Sequence, residues 1–404
     1  MDLQAPARQL PLTRTCPFDP PEEYRQLQAE EPISPLAFPD GVTGWLVTRY
    51  ADVRALLADP RFSSRRRAGL NPVRRVPPEL EDSLEAQPGM FIGMDPPDHT
   101  RYRRLLTGQF TVRRMNALTP RVAEIVADRL DEMAAAGPPV DLVRSFALPV
   151  PSLVICELLG VPYADRARFQ QWSAAMLSLA TGWKEMMAAR DELRAYMLGL
   201  VRGKRELPAD DLLSGLLRRP DDDALTDEEL VNIGVLLLIA GHETTANMLA
   251  LGTLTLLRHP GQLALLHADP ALFDGAVEEL LRYLSIVQFG IPRIATEDVE
   301  LGGTTIRAGD RLIASVMAAD RDPAQFTAAD TLDVTRAYSP HLGFGHGVHQ
   351  CLGQQLARVE MRTGLRALLE RFPTLRLAVP LDRVRMRDDM FIYGVHELPV
   401  TWDS

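Results

Sequence analysis

The sequence predicts a mainly α-helical fold with a minor β region, built round one long central helix. Three observations lead there. Residues 98–270 carry helix formers and apolar positions at helical spacing over most of their length. Within them, the apolar run that ends at Arg258 is about thirty residues, roughly 45 Å as a helix and enough to cross a whole domain. Short β-rich runs are confined to 42–50, 299–319 and the stretch near 375–401.

The elements follow in order. Residues 1–40 are proline-rich and are expected to cover the surface, with 1–16 a peripheral segment of a single domain spanning 1–404. "VTGWLVTRY" (42–50) reads as a strand, and "ADVRALLADP" (51–60) as a short helix stopped by Pro60. Residues 64–90 show little period and read as a long loop, a place where lids are found. Helices are expected over 120–136 and 163–203. Thr226 and Glu229 form a capping-box pattern that starts the long helix, and His259-Pro260 ends it. Val277, Leu280, Leu281 and Leu284 place one apolar face on a helix over 271–284. "VELGGTTIRAGDRLIASVMAA" (299–319) reads as hairpins turning at Gly302-Gly303 and Ala308-Gly309. A further helix follows Cys351, with Leu352, Leu356 and Val359 on one face.

Composition narrows the function classes. A chain of 404 residues buries a large core, and a net charge of −10 excludes broad nucleic-acid binding. Cys16, Cys156 and Cys351 are odd in number and far apart, so no disulfide framework is expected and a reduced, cytoplasmic setting is. The N-terminus lacks the apolar core of a signal peptide. The most apolar stretch, 230–257, carries Asn232, His242, Glu243 and Asn247, which suits a buried core helix and not a membrane span. Arginines cluster at 65–67, 101–104 and 113–114 and recur at 358, 362, 366 and 371, as a solvated surface or a patch for an acidic partner. His242-Glu243 begins an HExxH pattern, but Ala246 stands where the second histidine belongs. No phosphate-binding loop and no GxSxG elbow occurs.

Two stretches carry chemistry. "HLGFGHGVHQCLG" (341–353) gathers His341, His346, His349 and Cys351 among four glycines. One interpretation is a zinc clamp. The other is a thiolate at the start of a helix, favoured by its dipole, with glycines that let the backbone lie against a flat group such as haem. "AGHETT" (240–245) interrupts the long helix with residues of poor helix propensity. It is either a packing notch or a local opening in which Glu243 and Thr244 relay protons.

"FGHGVHQCLG" (344–353) resembles the haem-binding loop of cytochromes P450, with Phe, the glycines, a basic residue and Cys at the family's spacings. "AGHETT" resembles the family's oxygen-activation motif, and Glu279 with Arg282 its ExxR signature. The resemblance covers about 17–399 and is to soluble bacterial, actinobacterial-type members. It implies the P450 fold, with the long helix crossing over the haem, and haem b with Cys351 as axial thiolate and sole protein ligand to the metal. It implies Phe344 packed against the ligand side of the haem, propionate partners at His99, Arg103, Arg293 and His349, and room over the haem at Ala240 and Gly241. Glu243 would feed protons and Thr244 would hold the hydrogen-bond network at the dioxygen site. Glu279, Arg282 and Arg336 would form a structural ion network. His341 and His346 would be local hydrogen-bonding or surface residues. Substrate contacts would come from Met90, Phe91, Ile92, helices within 170–190, Leu237, Ala240, Val287, Phe289, Phe391 and Ile392.

The function so implied is a monomeric haem-thiolate monooxygenase acting with O2 on a small hydrophobic organic substrate, tailoring a polyketide, macrolide or other secondary metabolite, or oxidising a xenobiotic. Electrons would come from NAD(P)H through a ferredoxin and ferredoxin reductase, docking near Arg104, Arg113, Arg358 and Arg362. The rivals are a haem-thiolate peroxygenase, isomerase or dehydratase, which needs no dioxygen proton relay, and a non-catalytic haem-binding protein, which needs no Thr244.

Overall fold

A computed structural model describes residues 7–65, 68–85, 87–218, 224–337 and 340–403. Arg66 and Arg67 of the first arginine cluster lie outside the described residues. The chain forms two compact units. One comprises Met1–Ala86, Phe91–Thr100 and Glu278–Cys351, the other Gln87–Met90, Arg101–Val277 and Leu352–Ser404.

The first unit is built on a five-stranded sheet in the order Ile33–Ala37, Thr43–Val47, Arg311–Ala314, Ile291–Ala295, Phe62–Ser63. Arg311–Ala314 runs parallel to Thr43–Val47, pairing Leu46 with Ile313, and the other pairs are antiparallel. Trp45 Nε1 donates to Asp310 Oδ2 at 2.8 Å where these strands meet. Tyr50–Ala58 follows as the expected short helix, and its Val53, Leu56 and Leu57 join Val47, Leu312 and Ala314 in one core. Each such buried aliphatic side chain contributes about 1.5–3 kcal/mol. Within 64–90 the described residues form only three-residue turns of 3-10 helix, as the weak period suggested.

The 299–319 stretch corrects the expectation of two hairpins. Val299–Leu301 and Thr304–Ile306 do pair across Gly302-Gly303. After Ala308-Gly309, however, Arg311–Ala314 leaves its neighbour and inserts between the strands at 43–47 and 291–295. The buried run Leu312-Ile313-Ala314 suits a central strand better than a hairpin arm, and Val316–Ala319 then turns helical.

The second unit is helical apart from a small sheet of Val140–Asp141, Pro399–Thr401 and Arg376–Leu377. Its axis is the helix Asp227–Arg258, 32 residues long. Thr226 and Glu229 make the full capping box: Glu229 N–H donates to Thr226 Oγ1 at 3.2 Å, and Thr226 N–H to Glu229 Oε2 at 2.7 Å. Arg101 and Tyr102 also bond that carboxylate, so Arg101 is already engaged at the start of this helix. Burial pushes the Glu229 carboxyl up, but the bonds from Thr226, Arg101 and Tyr102 outweigh it and hold it below its usual range. The helix is apolar enough to cross a membrane by composition, yet 72% of its apolar window is buried in the fold. The expected helix over 163–203 divides into Arg166–Leu177 and Trp183–Glu206. At the break, Leu179 N–H donates to Asp389 O at 2.8 Å and Phe391 N–H to Leu177 O at 2.8 Å. Gln354–Arg371 is the helix after the cysteine loop; it begins past Leu352, which therefore lies off its apolar face.

Candidate active site

In the first unit the cysteine loop is held by its own backbone. Cys351 N–H donates to Phe344 O at 2.8 Å and Gly345 N–H to Leu342 O at 2.7 Å. Gly347 has φ +73°, and a Cβ there would collide with Leu57 O. A Cβ at Gly343 would lie 2.9 Å from Leu281 O. These two glycines therefore seat the loop on its own unit, a reason the sequence did not show. A Cβ at Gly353 would meet nothing within 4 Å. Cys351 precedes the helix N-cap, Gly353, and is half-buried. The other two thiols suit a thiolate poorly: burial pushes Cys156 up to about 12 and raises Cys16.

The histidines divide by role. His341 accepts from Gly343 N–H at Nδ1 (3.1 Å), so its Nε2–H donates to Glu278 Oε2 at 3.1 Å. Partial burial, with Arg54 nearby, lowers the His346 pKa below its usual value. Among the described residues no group of three or more His, Cys, Asp or Glu is placed to hold a metal ion, so the clamp interpretation finds no ligand set. His349 instead lies against His99, ring centroids 4.2 Å apart, and Phe91 packs on His99 at 6.3 Å. Arg293 is 5% exposed, and burial drops its guanidinium to about 10, with Asp95 opposing. It donates to Pro292 O at 2.9 Å, but no carboxylate among the described residues forms a salt bridge with it. A desolvated cation of this kind requires an anion. This donor set, one available thiol with paired imidazoles and a buried guanidinium, fits an iron porphyrin with two propionates. Arg103, one turn after His99 on Asp98–Thr107, is half-buried in the second unit.

The ion network behind the loop is complete. Arg282 holds Glu279 by two bonds, and its Nη1 donates to Asp320 O and Ala329 O at 2.8 Å each. Arg336 Nε reaches Glu279 Oε2 at 3.0 Å.

In the second unit, the long helix is buried between its ends except for one stripe. Leu236, Ile239, Ala240, Gly241 and Thr244 are the accessible positions there, and Ala240 is exposed. Thr244 Oγ1 donates to Ala240 O at 2.8 Å, the back-bond that loosens a helix. A Cβ at Gly241 would lie 2.6 Å from Ile155 Cδ1, so the absence of a side chain there lets Ile155 pack closely against the helix. Glu243 is 4% exposed. Its partner was missed in the sequence: Arg387 Nη2 lies 3.1 Å from Glu243 Oε2. No local pattern announces a bond across 144 residues.

The expected substrate contacts fall in both units. In the first, Phe91 and Phe289 are buried, Val287 is half-buried and Ile92 is 46% exposed. In the second, Leu237 is buried while Met90, Phe391 and Ile392 are half-exposed.

Comparison with known proteins decides the family. Residues 66–399 match the sequence family Cytochrome P450. The chain belongs to the cytochrome P450 family. Cytochrome P450-SU2 of Streptomyces griseolus is 49% identical over 99% of this chain and 97% of its own length. Pentalenic acid synthase of Streptomyces avermitilis is 47% identical, covering 97% of this P450 and 96% of the synthase. The crystal structure of CYP105P1 in complex with filipin I superposes with a TM-score of 0.92 at 46% identity, over 98% and 99% of the two chains. This P450 is thus a monooxygenase of bacterial, actinobacterial type, with haem held by a cysteine thiolate and electrons supplied from NAD(P)H through partner proteins.

Proposed function

We propose that this P450 inserts one oxygen atom of O2 into a C–H bond or alkene of a small hydrophobic molecule, in the tailoring of a polyketide, macrolide or other secondary metabolite. The name of pentalenic acid synthase and the filipin I complex of CYP105P1 support a natural-product substrate over a xenobiotic. The protein would work as a cytoplasmic monomer, fed by a ferredoxin and its reductase.

Bound haem supplies the site at which O2 and two electrons are used, the second oxygen atom leaving as water with two protons. Cys351 would hold the iron. Arg293, His99, His349 and Arg103 would neutralise the propionates, and Phe344 would flank the thiolate loop. The observation that carries the oxygenase reading is the acid–alcohol pair on the long helix. Glu243 is a buried carboxylate, and Thr244 presents a hydroxyl on the one accessible stripe. Thr244 would orient a water at that stripe, and Glu243 would replace each proton the water gives up. An isomerase or simple haem carrier needs no proton relay of this kind.

The experiment is Thr244→Ala in the holoenzyme, driven by a ferredoxin, its reductase and NAD(P)H. Expected is an unchanged carbon-monoxide spectrum with less product and more hydrogen peroxide per NAD(P)H. Unchanged product coupling would overturn the proposal.

A further inference from the structure

Arg387 belongs to none of the motifs that identify the family here, yet it binds the residue that feeds protons. Its guanidinium and the Glu243 carboxylate are 12% and 6% exposed. A charge pair this desolvated persists only where the surrounding fold enforces its geometry. The segment around Arg387 enforces it. Arg387 N–H donates to Gly394 O at 2.9 Å, and Met386 bridges Val395, so the segment folds back on itself. Gly394 presses on the long helix one turn beyond Glu243: a Cβ there would collide with Asn247 Oδ1, while Asn247 Nδ2 donates to Glu243 O at 2.7 Å. The far end of the segment is tied through Asp389 and Phe391 to the helix break at Leu177–Leu179.

The second carboxylate oxygen faces a different group. His242 is fully buried and packs edge-on against Phe169. Its Nδ1–H donates to Leu238 O at 2.6 Å, leaving a lone pair on Nε2, 3.8 Å from Glu243 Oε1. Burial holds this imidazole below its ordinary pKa, although Glu243 opposes the shift, and it stays neutral. Glu243 therefore has the Arg387 guanidinium on one oxygen and the His242 imidazole near the other.

We infer that Arg387 is a positioning residue for proton delivery, holding the Glu243 carboxylate in one orientation between successive protonations. The inference rests on the proposed proton-feeding role of Glu243. Without Arg387 the carboxylate remains but loses its aim, so protons arrive late and reduced oxygen escapes as peroxide.

The test uses the full-length holoenzyme as Arg387→Ala, Arg387→Gln, Arg387→Lys, Glu243→Gln and the Arg387→Ala/Glu243→Gln double variant. Product and peroxide per NAD(P)H, the solvent deuterium isotope effect and the carbon-monoxide spectrum are recorded, with thermal unfolding of each variant. Expected for Arg387→Ala is an intact spectrum, a larger isotope effect and product coupling down by roughly tenfold, less than the roughly 10²–10⁴-fold of a whole acid–base group because the Glu243 carboxyl remains. Arg387→Lys restores most of the coupling, and the double variant is no worse coupled than Glu243→Gln alone. Unfolding midpoints should show that the 387 and 243 substitutions are not additive. If Arg387→Ala fails to fold, Arg387→Gln is read in its place. Full coupling in the Arg387 variants while Glu243→Gln uncouples overturns this inference and leaves the proposed function standing. Full coupling in Glu243→Gln itself overturns the proton-feeding role, and the inference with it.

Discussion

Arg282 grips Glu279 through two parallel hydrogen bonds, Nε to Oε2 at 2.7 Å and Nη2 to Oε1 at 2.8 Å, with both side chains 2% exposed. As an exposed pair, three apart on a helix, they would contribute only about 0.2–0.5 kcal/mol. Burial reverses the scale. Removing one partner strands the other charge in the core, a loss of about 3–5 kcal/mol. Arg282→Ala is expected to lower unfolding free energy by that amount in urea. Arg25→Ala, which breaks an exposed pair with Asp330, should stay within about 1 kcal/mol of the parent.

The thiolate assignment separates neighbours in one loop. Cys351→Ser should abolish the strongly red-shifted carbon-monoxide band and the oxygenase activity. His346→Ala should leave both largely intact, since His346 is only partly buried and Cys351 is anchored through Phe344. A normal spectrum in Cys351→Ser would move the ligand elsewhere.

Asp320 sets a pH dependence of stability. It is fully buried; burial pushes its carboxyl up to about 6, against the pull of His341, Leu342 N–H, Arg282 and Ser285. The folded protein therefore holds a proton that the unfolded chain, at its ordinary carboxyl value of about 3.9, releases. The sign is unusual for an aspartate: this contribution is full below about pH 4 and is lost as pH rises toward the folded value. Asp320→Asn should flatten that segment of the urea stability profile. A profile identical to the parent's between those limits would contradict it.

Electron delivery should depend on exposed arginines of the second unit. Arg362 is shared with Asp274 at 3.4 Å, and Arg366 and Arg371 pair with Glu370 and Asp131. Arg113 and Arg114 stand exposed. Arg113→Glu is expected to slow ferredoxin-driven reduction several-fold at low salt without changing haem content, because a rim charge acts mainly on encounter. The difference should vanish near 1 M salt, where charges are screened beyond about 3 Å. Equal rates at low salt would remove Arg113 from the docking surface.

Much of this molecule was legible in the sequence because its signals are local. The cap at Thr226 and the cysteine loop each lie within a few consecutive residues, and the span to Arg258 shows as one continuous apolar run. Tertiary structure alone decided the rest. It inserted Arg311–Ala314 beside Thr43–Val47, set the backbone carbonyls of Asp320 and Ala329 on Arg282, and gave Gly241 to Ile155. It also brought Arg387 onto Glu243 across 144 residues. A polar partner that far along the chain leaves no periodic trace, because its position depends on where the backbone travels and not on what stands next to it.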